Sequence, residues 1–251
     1  SYNRPLIILC DYAANEGSIA NLELAKASGA SIVIVDHHPP SKKISEVVDF
    51  FISPFAKKGS SDYSTGLLAL ELARMISRNI DDELALYALQ GDKSTLASKK
   101  IFLEPIAIDL VASTIERENS LNEFNKLIQD KKRVKEYFEE AMGRVKRILE
   151  KSKSATKVRQ VEGVRIALIK LDKLCKKNEY PQKGKCLNFI HDEQCKQFSA
   201  VASIGYGSDY ISLRISEKAF EKGVKASKLI NYLKEELGYA LLSGGGHEQA
   251  S

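Results

Sequence analysis

Residues 31–40 read SIVIVDHHPP, and the rest of the chain is organised around this stretch. A run of apolar residues with high β propensity leads directly into Asp36, His37 and His38. A short, continuous apolar run is typical of a strand buried on both faces, and the two prolines that follow end it. We therefore expect the three polar side chains at the carboxyl end of a strand, where open α/β sheets bind ligands.

A second strand is predicted over residues 5–10, and it ends in Asp11. A helix predicted over residues 18–27 separates it from the strand that carries Asp36, which makes a β-α-β unit with two parallel strands. Asp11 and Asp36 are then expected at the same edge of one sheet. Two carboxylates that lie close together repel each other unless a cation sits between them. With the two histidines they form a donor set that suits Mn²⁺, Fe²⁺ or Zn²⁺.

The remaining pattern predicts an α/β fold, with a mostly parallel sheet followed by a smaller α+β domain. We place the first domain at residues 1–151 and the second at 152–251, joined by a long helix that ends near a hinge at 151–156. Residues 41–59 read as a mixed loop with weak strands, and Asp92 follows a helix as a third acid. Further helices are predicted at 62–78, 81–90, 103–118, 121–154 and 225–237, and further strands at 164–171, 200–206 and 210–215.

Serines crowd the start of the helix predicted at 62–78, where Ser60, Ser61 and Ser64 precede its apolar residues. Hydroxyls and unpaired N–H groups at a helix start can hold a phosphate. Plain capping of the helix explains the same residues. Leu68, Leu72, Met75 and Ile76 share one face of this helix, which we expect to be mostly buried.

The composition is that of an ordinary globular protein, with 43% hydrophobic and 28% charged residues. No apolar run reaches the roughly 18 residues that a membrane span needs, and no signal-peptide pattern is present. Four cysteines without framework spacing indicate a reducing compartment. We expect an intracellular, nucleoid-associated protein with no membrane partner. The net charge of +5 is compatible with a polyanionic partner without requiring one.

Residues 126–159 contain 12 Lys or Arg and 5 Asp or Glu. One interpretation is the solvated face of a helix that joins two domains. The other is an electrostatic track for a nucleic-acid backbone.

Residues 174–198 read as an insert that contains Cys175, Cys186, His191 and Cys195. Three thiols and one imidazole suit a structural zinc site, but no Cys-x-x-Cys pair is present. We expect a surface insert that binds no zinc.

Three motifs together resemble the DHH phosphoesterase superfamily. Val35-Asp36-His37-His38 resembles its signature, Asp11 its second motif and Gly91-Asp92 its fourth. The run SGGGHEQA at 243–250, with Gly244, Gly245, Gly246 and His247, is similar to the glycine–histidine motif of the DHH-associated C-terminal domain. Within the superfamily, the sequence is most similar to the archaeal RecJ-like group.

The resemblance implies a two-metal phosphodiester hydrolysis with Mn²⁺ or Mg²⁺. Asp11, Asp36, His38 and Asp92 would be the metal ligands, and His37 the catalytic residue near the phosphate. Arg214 and the glycines 244–246 with His247 would hold the nucleic-acid backbone. The family's first motif, His-x-Asp-x-Asp, does not occur in this chain, and other members continue beyond the glycine–histidine motif.

These features lead us to expect a non-catalytic replication factor that handles single-stranded DNA and associates with GINS-like and MCM-like proteins. The alternative is a Mn²⁺-dependent 5′→3′ single-strand exonuclease. A weaker alternative is a phosphodiesterase acting on oligonucleotides or cyclic dinucleotides.

Overall fold

The computed structural model describes residues 4–114, 120–176 and 179–238. The chain separates into two compact units, Ser1–Pro105 and Ile106–Ser251. The boundary thus lies near the start of a helix at Glu104–Thr114, whereas the sequence placed it between residues 151 and 152. That position lies inside the helix Lys131–Ala155, which is followed directly by a strand at Thr156.

The first unit contains a three-stranded parallel sheet in the order β1-β2-β3, with helices between and after the strands. Its elements, in chain order, are β1 Leu6–Cys10, α1 Ile19–Ala27, β2 Ser31–Val35, α2 Lys42–Val47, β3 Phe50–Ile52, α3 Thr65–Ile76 and α4 Glu83–Gly91. The predicted β-α-β unit with parallel strands is confirmed. The helix α2 was not predicted, because six residues of mixed polarity carry little periodicity.

The core of the first unit lies on one face of the sheet. Ile32 and Ile34 of β2 are fully buried against Leu22 of α1 and Ile44 of α2. Val33 points to the opposite face and is only half-buried. The prediction that β2 is buried on both faces is therefore confirmed fully for one face and partly for the other. On β1, the side chains that share the face of Val33 are Leu6 and Ile8, and both are exposed.

The prediction that β1 is a buried strand is wrong. Leu6 is 62% exposed and Ile8 58% exposed, on the face of β1 opposite the one that packs against α1 and α2. An apolar run alone does not distinguish a central strand from an edge strand.

Helices α3 and α4 pack closely against each other through small residues. Gly66 of α3 lies so near Ala88 of α4 that a Cβ atom at position 66 would overlap that of Ala88. Leu68 and Leu70 are buried. The last turn of α3 extends beyond its partners, so Met75 and Ile76 are exposed by 84% and 89%, and the prediction of a mostly buried helix is wrong there.

The second unit contains three helices followed by a four-stranded sheet in the order β4-β5-β6-β7. Pairing is antiparallel, parallel and antiparallel in that order, which confirms the predicted mixture of strands and helices. The elements are α5 Glu104–Thr114, α6 Ser120–Gln129, α7 Lys131–Ala155, β4 Thr156–Val161, β5 Val164–Lys170, α8 Lys183–Cys195, β6 Val201–Tyr206, β7 Ile211–Ile215, α9 Glu217–Glu221 and α10 Ala226–Leu237.

Each face of this sheet has its own core. On one face, Ile169 of β5 packs with Cys186, Leu187 and Ile190 of α8. On the other face, residues of β6 and β7 pack with Ala219 of α9 and the residues of α10. The expected surface insert at 174–198 is therefore wrong, because α8 is one of the most buried helices of the unit.

None of the helices in the described ranges is both long and apolar enough to cross a membrane.

Candidate metal centre

The candidate centre lies where β1 and β2 end. Asp11 directly follows β1, and its N–H donates to the carbonyl of Val35 at 3.0 Å. Asp36 directly follows β2, and its N–H donates to the carbonyl of Ile52 on β3 at 3.0 Å. The sheet pairing thus continues one residue beyond the strands, and it holds the two acids at one edge of the sheet as their positions in the sequence indicate.

Asp36 is fully buried and accepts three hydrogen bonds. Its Oδ2 accepts from the N–H of Ala13 at 2.6 Å, and its Oδ1 accepts from the N–H of His38 at 3.0 Å and from His38 Nδ1 at 2.7 Å. Burial opposes ionisation of this carboxyl group, but the hydrogen bonds from His38 and Ala13 outweigh it and lower the pKa of Asp36. Asp36 is therefore an ionised group that orients His38.

The pKa of His38 is raised, chiefly by its side-chain hydrogen bond with Asp36. Burial works in the opposite direction, while the charges of Asp36, Asp11 and Asp92 add to the increase. A carboxylate can only accept, so Nδ1 of His38 carries a hydrogen and Nε2 holds the lone pair of the neutral ring. The influence of Asp92, which caps the end of α4, places this third predicted acid near the same imidazole.

His37 is buried, and both of its ring nitrogens have defined neighbours. Nδ1 lies 2.7 Å from the carbonyl oxygen of Ser61, which can only accept, so Nδ1 carries the hydrogen. Nε2 lies 3.4 Å from Asp11 Oδ1 and is the nitrogen that can bind a metal. In most metal-binding histidines, the ring nitrogen that does not bind the metal donates a hydrogen bond that fixes the tautomer, as Nδ1 does here.

Thr65, the first residue of α3, joins these groups although the sequence did not single it out. Its hydroxyl donates to Asp11 Oδ1 at 3.1 Å and accepts from the N–H of His37 at 3.2 Å. Ser64 caps α3 by accepting from the N–H of Leu67. Of the neighbouring serines, only the carbonyl of Ser61 reaches the centre. The cluster of hydroxyls before an apolar helix was the available signal, and it did not indicate which one contacts Asp11.

The backbone around the centre adopts unusual conformations. Asp11, Ala13 and Lys93 have φ angles of 54°, 49° and 55°, in the left-handed region that residues other than glycine rarely occupy. The conformation of Ala13 accompanies the hydrogen bond from its N–H to Asp36. Strained residues of this kind concentrate at functional sites.

The donor set fits a divalent ion. Asp11, His37 and His38 each offer one ligand atom, and these three atoms lie within 4.8 Å of one another. One carboxylate oxygen and two imidazole nitrogens suit Mn²⁺, Fe²⁺ or Zn²⁺. Asp36, which we predicted as a ligand, accepts hydrogen bonds from Ala13 and His38 with both of its carboxylate oxygens. His37, predicted as the catalytic residue, lies among the candidate ligands.

Arg214, the predicted phosphate contact, belongs to β7 in the second unit. Its Nε donates to Asn188 Oδ1 of α8, and its Nη1 donates to the carbonyl of Leu213 at 2.6 Å. Burial lowers the pKa of this guanidinium, and the charge of Asp192 partly offsets that effect. The glycine–histidine motif, Gly244 to His247, lies outside the described residues.

The chain is similar to a curated protein and to several solved structures. It is 26% identical to an uncharacterized protein of Methanocaldococcus jannaschii, over 98% of this chain and 39% of that protein. A solved DHH domain, from a member of the S1p family of ribosomal proteins, superimposes with a TM-score of 0.83 and 24% identity. The chain has the fold of a DHH domain.

An exopolyphosphatase-related protein from Bacteroides fragilis superimposes with a TM-score of 0.53 and 16% identity. Each of the two structural alignments covers 98% of this chain and 64% of the solved one. The chain therefore spans less than two thirds of the proteins that it matches. No protein-family model matches it.

Proposed function

We propose that this chain carries the metal centre of a DHH-type phosphoesterase that acts on phosphodiesters of single-stranded nucleic acid. The observation that carries this proposal is that one ligand atom each of Asp11, His37 and His38 lies within 4.8 Å of the others, with Asp11 Oδ1 3.4 Å from His37 Nε2, at the carboxyl edge of a parallel sheet. Ligand binding at that edge is the rule in open α/β folds.

Each residue of the centre has a distinct role in this proposal. Asp11, His37 and His38 hold the ion, and Asp36 and Thr65 keep His38 and Asp11 in position. Mn²⁺ bound there would act as a Lewis acid toward a phosphoryl oxygen and the attacking water. Asp92, which the sequence predicts as a ligand, contributes to the raised pKa of His38 but is not in the group of three candidate ligands.

A basic surface of the second unit supports a polyanionic substrate. It comprises exposed cations of the second half of α7 and of β4, which form no ion pair among the described residues: Lys146, Arg147, Lys151, Lys153, Lys157 and Arg159. The first half of α7 differs, because Lys132, Lys135 and Arg144 pair with glutamates on the same helix. Several exposed cations without acidic partners, close together in the sequence, are typical of a nucleic-acid-binding surface.

The resemblance to RecJ-like proteins leads to a second proposal, in which the chain is a non-catalytic replication factor that binds GINS-like and MCM-like proteins. The basic surface supports this role equally well, because it requires DNA binding without hydrolysis. The two proposals differ only in whether the metal centre turns over substrate.

Incubation with 5′-labelled single-stranded DNA and Mn²⁺ tests both proposals. We expect shortening of the DNA that is lost in Asp11→Asn and kept in Glu46→Gln, an exposed carboxylate of the same unit. Parallel assays use an oligonucleotide, a cyclic dinucleotide and inorganic polyphosphate, since one structural neighbour is related to an exopolyphosphatase. Salt-sensitive DNA binding without hydrolysis of any of these substrates would favour the non-catalytic role.

A further inference from the structure

A second cluster of reactive side chains lies in the other unit, on α8 and β6. Cys195 Sγ is 3.4 Å from His191 Nε2, one helical turn earlier on α8. The other ring nitrogen of His191, Nδ1, is 2.9 Å from Ser203 Oγ on β6. A thiol, an imidazole and a hydroxyl thus form a continuous chain of contacts that belongs to neither function proposed above.

Burial gives the three groups different roles. Ser203 is fully buried and His191 is 8% exposed, whereas Cys195 is only partly buried at the end of α8. The imidazole is therefore held in one orientation by the interior, with one nitrogen directed at the sulfur of a partly exposed residue. A nucleophile, a base and a third group that orients the base are the parts of an activated nucleophile.

We propose that Cys195 is a reactive thiol that forms mixed disulfides with low-molecular-weight disulfides. His191 Nε2 takes the proton of the thiol, and the thiolate attacks one sulfur of the disulfide. The S–S bond of that molecule breaks as the new S–S bond forms, and its other half leaves as a thiolate that accepts the proton from His191. The disulfide is the oxidant, and no other co-reactant is needed.

The charges around Cys195 are mixed, and His191 is the group that favours the thiolate. The carboxyl end of α8 and the acids Asp192 and Glu193 disfavour an anion there. Lys196 is engaged with Glu193 at 2.7 Å. Arg165 of β5 donates to Gln194 and stacks on Phe198. Asp192 interacts electrostatically with Arg214 of β7. His191 contacts the sulfur directly, through Nε2 at 3.4 Å.

The other thiols make the proposal testable within one chain. Cys175 and Cys186, the latter on α8 itself, are buried in the core of this unit and report unfolding if they react. Cys10 is exposed in the first unit and serves as a reference for solvent-accessible thiols.

The experiment follows each cysteine by mass spectrometry during reaction with oxidised glutathione at several pH values. We expect Cys195 to form the mixed disulfide and His191→Gln to slow it at least tenfold near pH 7, with the rate at Cys10 unchanged. The rate in the variant should then depend more steeply on pH, because the thiol no longer has the imidazole as its base. Gln197→Ala, an exposed change near the same helix end, should react like the parent chain.

The reaction of the buried thiol of Cys186 distinguishes a variant that unfolds from one that has only lost the base. If Cys186 reacts in His191→Gln, that variant is unfolded, and Ser203→Ala is tested in its place. Ser203→Ala removes the hydroxyl that orients His191 and should slow the reaction of Cys195 at least threefold. A Cys195 that does not react, or that reacts at the same rate in the parent chain and in a folded variant, would overturn the proposal.

Discussion

Thr65 donates a hydrogen bond to Asp11 at 3.1 Å, although 54 residues separate the two in the sequence. The same hydroxyl accepts the backbone N–H of His37, so one side chain fixes two candidate ligands. Partners of this kind commonly change metal affinity 10- to 100-fold when they are removed. We expect Thr65→Val to weaken Mn²⁺ binding by about tenfold, as measured by calorimetric titration, while Thr65→Ser keeps most of the affinity. Equal affinities for the parent chain and a folded Thr65→Val would contradict this role.

The hydrogen bond between His38 and Asp36 makes a prediction about pH. Because this bond raises the pKa of His38, the imidazole should titrate above its ordinary value of 6.5 in the metal-free protein. The charged pair then stabilises the folded state fully between the ordinary pKa of aspartate, 3.8, and that of histidine, 6.5, and this stabilisation is lost as the pH rises through the pKa of His38. NMR titration of the ring protons measures the midpoint directly.

Asp36→Asn removes the charge that raises this pKa and should lower the midpoint. Asp49→Asn is the control, since Asp49 binds Lys26 and the N–H of Ile32 rather than a histidine. A midpoint at or below 6.5 in the parent chain would exclude the proposed pairing.

The basic surface predicts how nucleic-acid binding depends on salt. Each lysine that contacts a single strand releases about 0.7 counterions. Lys153→Gln combined with Lys157→Gln should therefore reduce the slope of log affinity against log salt by about 1.4 and weaken binding at low salt. Fluorescence anisotropy with a labelled oligonucleotide measures this slope.

The matched control for that pair changes the first half of α7. Lys132 and Lys135 lie 3.9 Å and 3.8 Å from glutamates of the same helix, so Lys132→Gln with Lys135→Gln should change the slope much less. A larger effect of the control pair would place the nucleic-acid contact elsewhere.

The one-sided core of the first unit predicts different costs for two similar substitutions. Ile34 is fully buried, and Ile34→Ala should lower the free energy of unfolding by about 2–5 kcal/mol, since it removes packing and leaves a cavity. Ile8 is 58% exposed, and Ile8→Ala should change it by less than about 0.5 kcal/mol. Urea denaturation measures both. Similar costs for the two would show that the open face of β1 is covered in solution.

The sequence predicted the edge of the sheet where the acids meet, because an apolar run that ends in a charged residue marks both the strand and its end. Parallel connection then requires Asp11 and Asp36 to share an edge. The exposure of Leu6, Met75 and Ile76 could not be predicted in this way, since apolar periodicity does not report whether another element covers the face.

The contacts that complete the centre were also beyond the sequence. Thr65 contacts Asp11 because the fold brings the first residue of α3 to the end of β1. No local sequence pattern distinguishes its hydroxyl from those of the neighbouring serines. Likewise the sequence of α8 predicts a surface insert, because its cysteines and polar residues obscure the periodicity of the apolar face formed by Leu187 and Ile190. Tertiary packing decided both features.

The tight approach of Gly66 to Ala88 has an evolutionary consequence. The two positions together leave room for only one methyl group between α3 and α4, and Gly66 immediately follows Thr65. Related sequences should therefore vary at these positions jointly: an alanine at position 66 is expected only with a glycine at position 88. Substitution at one position without the other would push α3 away and move the hydroxyl that contacts Asp11, so natural selection on the metal centre should be visible as covariation in a helix pair that contains none of the candidate ligands.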